Sequence, residues 1–106
     1  MNKFVVVGTY SNGALKGFIN NPGQDRKAVV EQMSSSIGAK LLDFKITRGI
    51  YDFVAVAEGT PDQALSLKLA VLSTGAISEM HILEEISLAG PASEASKALK
   101  SYSPPQ

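Results

Sequence analysis

Two strand-like segments of this chain are apolar on both faces, and they constrain its fold more than any other feature. The first, residues 3–10, carries Val5, Val6 and Val7 in succession. In the second, residues 50–58, apolar or small residues occupy odd and even positions alike. A strand that is apolar on both faces is typical of the middle of a sheet whose two sides are covered. The sequence therefore predicts that these two segments are central strands.

Two other segments alternate between apolar and polar residues, which is typical of strands with one buried face. Residues 40–47 place Leu42, Phe44 and Ile46 on one side, and Arg48-Gly49 is predicted to turn the chain into the next strand. Residues 76–87 alternate in the same way. The chain is therefore predicted to contain four strands.

Helical patterns occupy the segments between the strands. From Asp25 onward, apolar residues recur at spacings of three and four until Gly38, a residue suited to follow a helix C-terminus. The second helix has a complete start signal, with Thr60 as N-cap, Pro61 at the first helical position and Gln63 to close a capping box. The residues predicted to form its buried side are Leu65, Leu69 and Leu72.

The predicted order is strand, helix, strand, strand, helix, strand. Right-handed crossovers place the first and third strands in the middle of an antiparallel sheet and both helices on one of its faces. The sequence thus predicts an α+β fold, a ferredoxin-like βαββαβ sandwich, as one domain over residues 1–88. Residues 14–20 are expected to add one or two helical turns. The tail, residues 89–106, is expected to be partly disordered, with a weak helical turn around residues 93–99.

Composition narrows the classes of function. The 106-residue chain has 10 basic and 10 acidic residues, so it lacks the basic excess that nucleic-acid binding requires. It has no cysteine, which excludes disulfides and thiolate chemistry. No cofactor motif or metal-ligand spacing occurs, so neither a cofactor nor a metal site is predicted. The apolar run at the start is too short for a signal peptide, and nothing approaches a membrane span. We expect a cytoplasmic protein.

Two helices cover only one face of a four-stranded sheet. Side-chain parity assigns three groups to the other face: Asp43, Lys45 and Thr47; Tyr51, Phe53, Ala55 and Ala57; and Glu79, His81, Leu83 and Glu85. An apolar centre with a charged edge is typical of an interface, so the sequence predicts self-association through this face. In the alternative, a monomer, the tail covers Tyr51 and Phe53 with the help of Leu99 and Tyr102.

Few side chains are candidates for chemistry. His81 is the only histidine and hence the first candidate for acid–base catalysis, with Tyr51 and Asp52 as partners. The simpler interpretation of His81 is a packed or interfacial residue. The candidate ligand-binding residues are Tyr10, Asn12, Arg48 and Phe53. Since Tyr10, Asn12 and Arg48 lie at strand ends and turns, turn and cap chemistry is the alternative for these three.

The segment Thr47-Arg48-Gly49-Ile50-Tyr51-Asp52-Phe53-Val54 resembles the Gly-x-Tyr-Asp signature of the GYD-domain proteins, small bacterial proteins of unestablished function. The opening strand through Gly13 and the segment 16–22 are also similar to that family, and the resemblance spans about residues 3–87. It implies a dimeric α/β-barrel assembly, in which two sheets meet face to face, but no catalytic residue. Gly49 can supply the positive φ of a tight hairpin. The Asp52 carboxylate is expected to point toward the helices and accept backbone N–H groups.

These observations predict a small homo-oligomeric protein that binds a small ligand or a protein partner. The alternative is a cofactor-independent enzyme of dimeric-barrel type, a monooxygenase or isomerase acting on a small apolar or aromatic compound. A third possibility is a purely structural assembly protein. A concave pocket containing His81 and one of its partners favours the enzyme.

Overall fold

The structure, a computed structural model, describes residues 2–106, and in that range the chain forms four strands and four helices. The strands are β1 (Asn2–Tyr10), β2 (Lys40–Ile46), β3 (Phe53–Gly59) and β4 (Ile77–Glu84). The helices are α1 (Asn12–Asn20), α2 (Arg26–Ser36), α3 (Pro61–Ser73) and α4 (Ala89–Lys100).

The four strands form one antiparallel sheet in the order β2-β3-β1-β4. Val6 of β1 pairs with Ala55 of β3 on one side and with Ile82 of β4 on the other. The two segments that are apolar on both faces are thus the central strands, as predicted. The α+β, ferredoxin-like fold is confirmed.

The first three helices begin where a side chain accepts a backbone N–H at the helix start. Ser11 accepts from Ala14 and Asp25 accepts from Ala28. Thr60 and Gln63 form the predicted capping box, with bonds of 3.1 and 2.8 Å. After α2, Gly38 has φ +81°, which suits the predicted residue after a helix C-terminus.

Helices α2 and α3 lie over the edges of the sheet, α2 against β2 and α3 against β4. The predicted buried side of α3 is wrong for Leu65 and Leu69, which are 53% and 64% exposed. Leu67 and Val71 line the space above the sheet instead. Apolar residues surround most of the circumference of α3, so their spacing alone does not select the face that packs.

The side-chain parity predicted for β3 is also wrong. Phe53 and Ala55 are 6% and 5% exposed and, like Ala57, lie on the helix-covered face. Val54 and Val56 occupy the open face, where Val56 pairs with Asp43 of β2. Because β3 is apolar on both faces, alternation could not identify the covered one. The strand also begins at Phe53 and not at Ile50, since residues 47–52 form a loop.

The packed core lies at one end of the sheet, where Tyr10, Phe53 and Ile77 form a buried cluster. The Tyr10 ring packs edge-on against Phe18 of α1, with 4.8 Å between ring centroids. Its centroid lies 5.4 Å from that of Phe53. Aromatic pairs at these separations are favourable. The core thus fixes α1 and the end of β1 against β3.

The C-terminal segment is more helical than predicted, because α4 covers 12 residues. Every residue from Leu83 onward is exposed, and the molecule extends 61 Å along its longest axis. Leu99 and Tyr102 are 70% and 60% exposed, so the alternative in which the tail covers Tyr51 and Phe53 is wrong. Within residues 2–106, no helix has the length and apolar character needed to cross a membrane.

Candidate functional site

A cavity of about 310 Å³ separates the sheet from helices α2 and α3. Its floor is made by the covered face of the two central strands, with Val6 from β1 and Ala55 and Ala57 from β3. Its walls come from the two helices: Val29, Val30 and Met33 of α2, and Ala64, Leu67 and Val71 of α3. Side chains from both central strands and both helices thus line an apolar space.

The cavity follows from the placement of the helices and from small side chains. Because α2 and α3 pack over the edge strands, the middle of the sheet has no helix directly above it. Alanine at positions 55, 57 and 64 leaves that space unfilled. Protein interiors are otherwise packed with few voids larger than one water. A volume of about 310 Å³ is therefore far larger than a packing void.

One end of the cavity is polar. Tyr10 and Arg26 line it, and the same two residues line a second, more open cavity beside α1. Burial raises the pKa of the Tyr10 hydroxyl, while the Arg26 guanidinium beside it acts in the opposite direction and Asp52 adds to the increase. A phenol and a guanidinium thus lie together at the edge of an apolar space.

The Gly-x-Tyr-Asp loop, residues 49–52, is fastened to the end of β1. The Asp52 N–H donates to the Gly8 carbonyl at 2.8 Å, and the Asp52 carboxylate accepts the Tyr10 N–H at 2.9 Å. The pairing of β1 with β3 ends at Gly8 and Phe53, so the Tyr10 N–H lies beyond the last paired residues. The Asp52 carboxylate supplies the acceptor for that N–H. Asp52 thus accepts a backbone N–H, as expected, and holds Tyr10 at the polar end.

Two glycines give this region its shape. Gly49 has φ +144°, the positive value expected there, although the loop is longer than a tight hairpin. Thr47 closes the loop by donating its N–H to the Asp52 carbonyl at 2.8 Å. At Gly8 a Cβ would lie 2.5 Å from the Glu79 carbonyl oxygen and 2.8 Å from the Phe53 ring. Only glycine therefore allows the Phe53 ring to lie over β1.

The predicted catalytic residues are divided between the two sides of the sheet. His81 and Tyr51 meet on the open face, with 5.8 Å between ring centroids, and His81 Nε2 lies 2.6 Å from Glu79 Oε1. Asp52 instead binds Tyr10 and lines the second cavity, beside α1. Neither His81 nor Tyr51 lines the cavity between the sheet and the helices. The three side chains do not form one site.

The predicted ligand-binding residues are also divided. Tyr10 and Phe53 line the apolar cavity. Asn12, the first residue of α1, and Arg48, in the loop before β3, are exposed and lie outside its lining. Sequence reasoning does not identify Arg26, because a basic residue in the first turn of a helix carries no local signal of a site. In the part of the chain that the structure describes, no three acidic or histidine side chains group as metal ligands.

Comparison with known proteins adds one finding. No curated protein and no solved structure is similar enough to the chain to count as a match. The family model described as GYD domain matches residues 4–89, which include β1 from Phe4 onward, the other three strands, α1, α2 and α3. The matched segment contains the loop that Asp52 fastens to β1 and ends where α4 begins. The chain belongs to the GYD-domain family.

Proposed function

We propose that this chain is a small ligand-binding protein whose site is the apolar cavity between the sheet and helices α2 and α3. The observation that carries the proposal is the cavity itself, about 310 Å³ and lined almost entirely by apolar side chains. Small-molecule sites are concave, mostly apolar and begin at about this volume. The expected ligand is a compound with one aromatic ring or a short alkyl chain.

Titration with indole, a neutral aromatic compound, tests this proposal by isothermal calorimetry. The wild-type chain is expected to bind indole saturably at one site per chain. Ala57→Phe adds a ring to the cavity floor and is expected to raise Kd at least tenfold. Leu65→Phe, the matched control on the outer side of α3, is expected to leave Kd unchanged. Equal affinity in wild type and Ala57→Phe, with both folded by circular dichroism, would contradict the proposal.

The open face of the sheet supports self-association as part of the same proposal. Its centre is aliphatic, with Val5 and Val7 from β1 and Val54 and Val56 from β3, and Leu83 of β4 is 57% exposed beside them. Charged or titratable side chains flank this centre: Asp43, Lys45, Glu79 and His81. An apolar patch with a polar rim suits a face-to-face homodimer.

Light scattering at micromolar concentration tests the dimer. The wild-type chain is expected to have the mass of two or more chains. Val56→Lys places a charge in the centre of the face and is expected to shift the mass toward one chain. Leu65→Lys, a matched change on the exposed side of α3, is expected to leave the mass as in wild type. A wild-type mass of one chain contradicts the dimer.

The enzyme alternative has less support from the geometry. Acid–base catalysis requires a titratable group within hydrogen-bond reach of the bound compound. His81 and Tyr51 lie on the opposite side of the sheet from the cavity, and Asp52 lines the neighbouring cavity beside α1. Tyr10 lines the cavity, but burial raises the pKa of its hydroxyl, which makes it a weaker acid. Binding is therefore the better-supported function.

A further inference from the structure

Arg26 gives the cavity a charged end. It is the first residue of α2, it is half-buried, and it lines both the apolar cavity and the neighbouring one beside α1. Among the described residues that line the apolar cavity, Arg26 is the only cation. A guanidinium presents donors in a planar fork that matches a carboxylate.

The hydrogen bonds of Arg26 are incomplete. Its Nη1 donates to Gln24 at 3.4 Å, a long contact, and the guanidinium also lies within hydrogen-bond reach of the Tyr10 hydroxyl. Its Nε is buried with no hydrogen-bond acceptor among residues 2–106. None of the ion pairs formed within those residues involves Arg26. The nearby carboxylates of Asp25 and Asp52 line the neighbouring cavity with Arg26. Each accepts a backbone N–H, from Ala28 and Tyr10 respectively, but neither forms an ion pair with Arg26. A buried donor without a partner is unfavourable, and a ligand that accepts from it removes that penalty.

Other polar side chains of the cavity already have partners. Ser34 donates to the Val30 carbonyl at 2.8 Å, and Thr74 donates to the Val71 carbonyl at 2.7 Å. Gln63 is held by the α3 capping box and donates to the Ile37 carbonyl at 2.9 Å. Arg26 is thus the group best placed to receive the polar part of a ligand.

The one acidic residue among the described residues that border the cavity is Glu58, near the end of β3. Because side chains alternate along a strand, Glu58 shares the open face with Val54 and Val56, and its carboxylate lies on the other side of the sheet from Ala57. Among these bordering residues, Arg26, which lies beside Tyr10, is therefore the one with a charged side chain on the cavity side of the sheet. An anion is favoured at the Tyr10 end of the cavity for this reason.

We propose that the cavity selects amphiphilic monocarboxylates, with the carboxylate bound by Arg26 and the apolar body lying between the sheet and helices α2 and α3. This inference rests on the proposed binding function and adds the chemical class of the ligand. The body is either an aromatic ring system or a short alkyl chain, since apolar walls accept both.

Two acid–amide pairs test the inference by isothermal calorimetry: 2-naphthoate with 2-naphthamide, and octanoate with octanamide. Each amide keeps the apolar body and removes the charge. For the wild-type chain, at least one acid is expected to bind ten or more times tighter than its amide. The pair with the tighter acid identifies the body as aromatic or aliphatic.

Variants then assign the preference to Arg26. Arg26→Gln is expected to bring the acid and amide Kd values to within about twofold while the amide Kd is unchanged. Arg26→Lys is expected to keep part of the preference. Lys16→Gln, an equal charge change at an exposed position of α1, is expected to keep all of it. Circular dichroism melting checks that each variant is folded.

The results distinguish failure of the role of Arg26 from failure of the proposed binding function. Equal binding of acid and amide to the wild type, or a preference that survives in folded Arg26→Gln, overturns the role of Arg26 and leaves the cavity as a site for neutral compounds. Failure of indole and of all four compounds to bind overturns the proposed function as well.

Discussion

At the scale of single residues, Gly8 determines how closely two strands and a ring can approach. A Cβ there would lie 2.5 Å from the Glu79 carbonyl, which belongs to the backbone and cannot rotate away. It would also meet the Phe53 ring that forms part of the cavity lining. The glycine is thus required by the site as well as by the fold.

Gly8→Ala is therefore expected to lower the free energy of unfolding by about 2 kcal/mol, as other overpacking changes do. The matched control is Gly17→Ala in α1, where a Cβ meets nothing within 4 Å. That change is expected to raise the free energy of unfolding by about 0.5–1 kcal/mol, because alanine favours a helix. Urea unfolding measures both. A Gly8→Ala chain as stable as wild type contradicts the close approach.

The free energy of unfolding is expected to depend on pH through the Tyr10 hydroxyl. Burial raises the pKa of its hydroxyl above the ordinary value of about 10, so the unfolded chain releases this proton at a lower pH than the folded chain does. The stabilisation is complete below pH 10 and is lost as the pH rises through the folded-state pKa. Tyr10→Phe is expected to show a smaller loss of stability between pH 9 and 12 than wild type. Urea unfolding across that range tests this, and parallel curves for the two chains contradict it.

The candidate site could be predicted from sequence only in part. Tyr10 is a candidate from sequence because binding residues often lie at strand ends. Phe53 is also a candidate, but parity assigns it to the open face, whereas it lies on the covered one. Arg26 could not be identified, since only the packing of α2 brings it beside Tyr10. Alternation along β4 predicts the open face for His81, as observed, but it does not show that the cavity lies on the other side of the sheet.

At the scale of elements, α3 shows that the start of a helix can be predicted from neighbouring residues, whereas its packed face cannot. Its start was predictable, because Thr60, Pro61 and Gln63 act within one turn of helix. The face of α3 that packs was not predictable, because leucines lie on several sides of the helix and only contact with the sheet decides which of them are buried. The same holds for β3, where both faces are apolar and tertiary packing alone decides that Phe53 is covered.

Thr60→Ala is expected to lower the free energy of unfolding by about 1 kcal/mol, because it removes the acceptor for the Gln63 N–H. Ser66→Ala, within the same helix, removes only a hydroxyl that donates to the Asp62 carbonyl and is expected to have little effect. Urea unfolding compares the two. Equal stabilities of the two variants count against the capping box as the anchor of α3.

At the scale of the whole molecule, the order of strands and helices gives the fold, and packing gives the site. Right-handed crossovers were enough to put β1 and β3 in the middle of the sheet. The cavity could not be predicted in this way, because it depends on helices that pack over the edge strands and on alanines beneath the gap. The length of α4 was also missed, since its alanine, serine and lysine residues resemble a solvated tail.

The central claim is that an apolar ligand enters the space between the sheet and the helices and does not bind on the open face. Ala57 and Val56 are adjacent in β3 and lie on opposite faces, so their methyl groups report on the two locations. Methyl-resolved NMR with saturating indole is the most direct test. The account predicts nuclear Overhauser effects from indole to the Ala55 and Ala57 methyls and none to Val54 or Val56. Effects confined to Val54 and Val56, or no saturable change at any methyl, would contradict it.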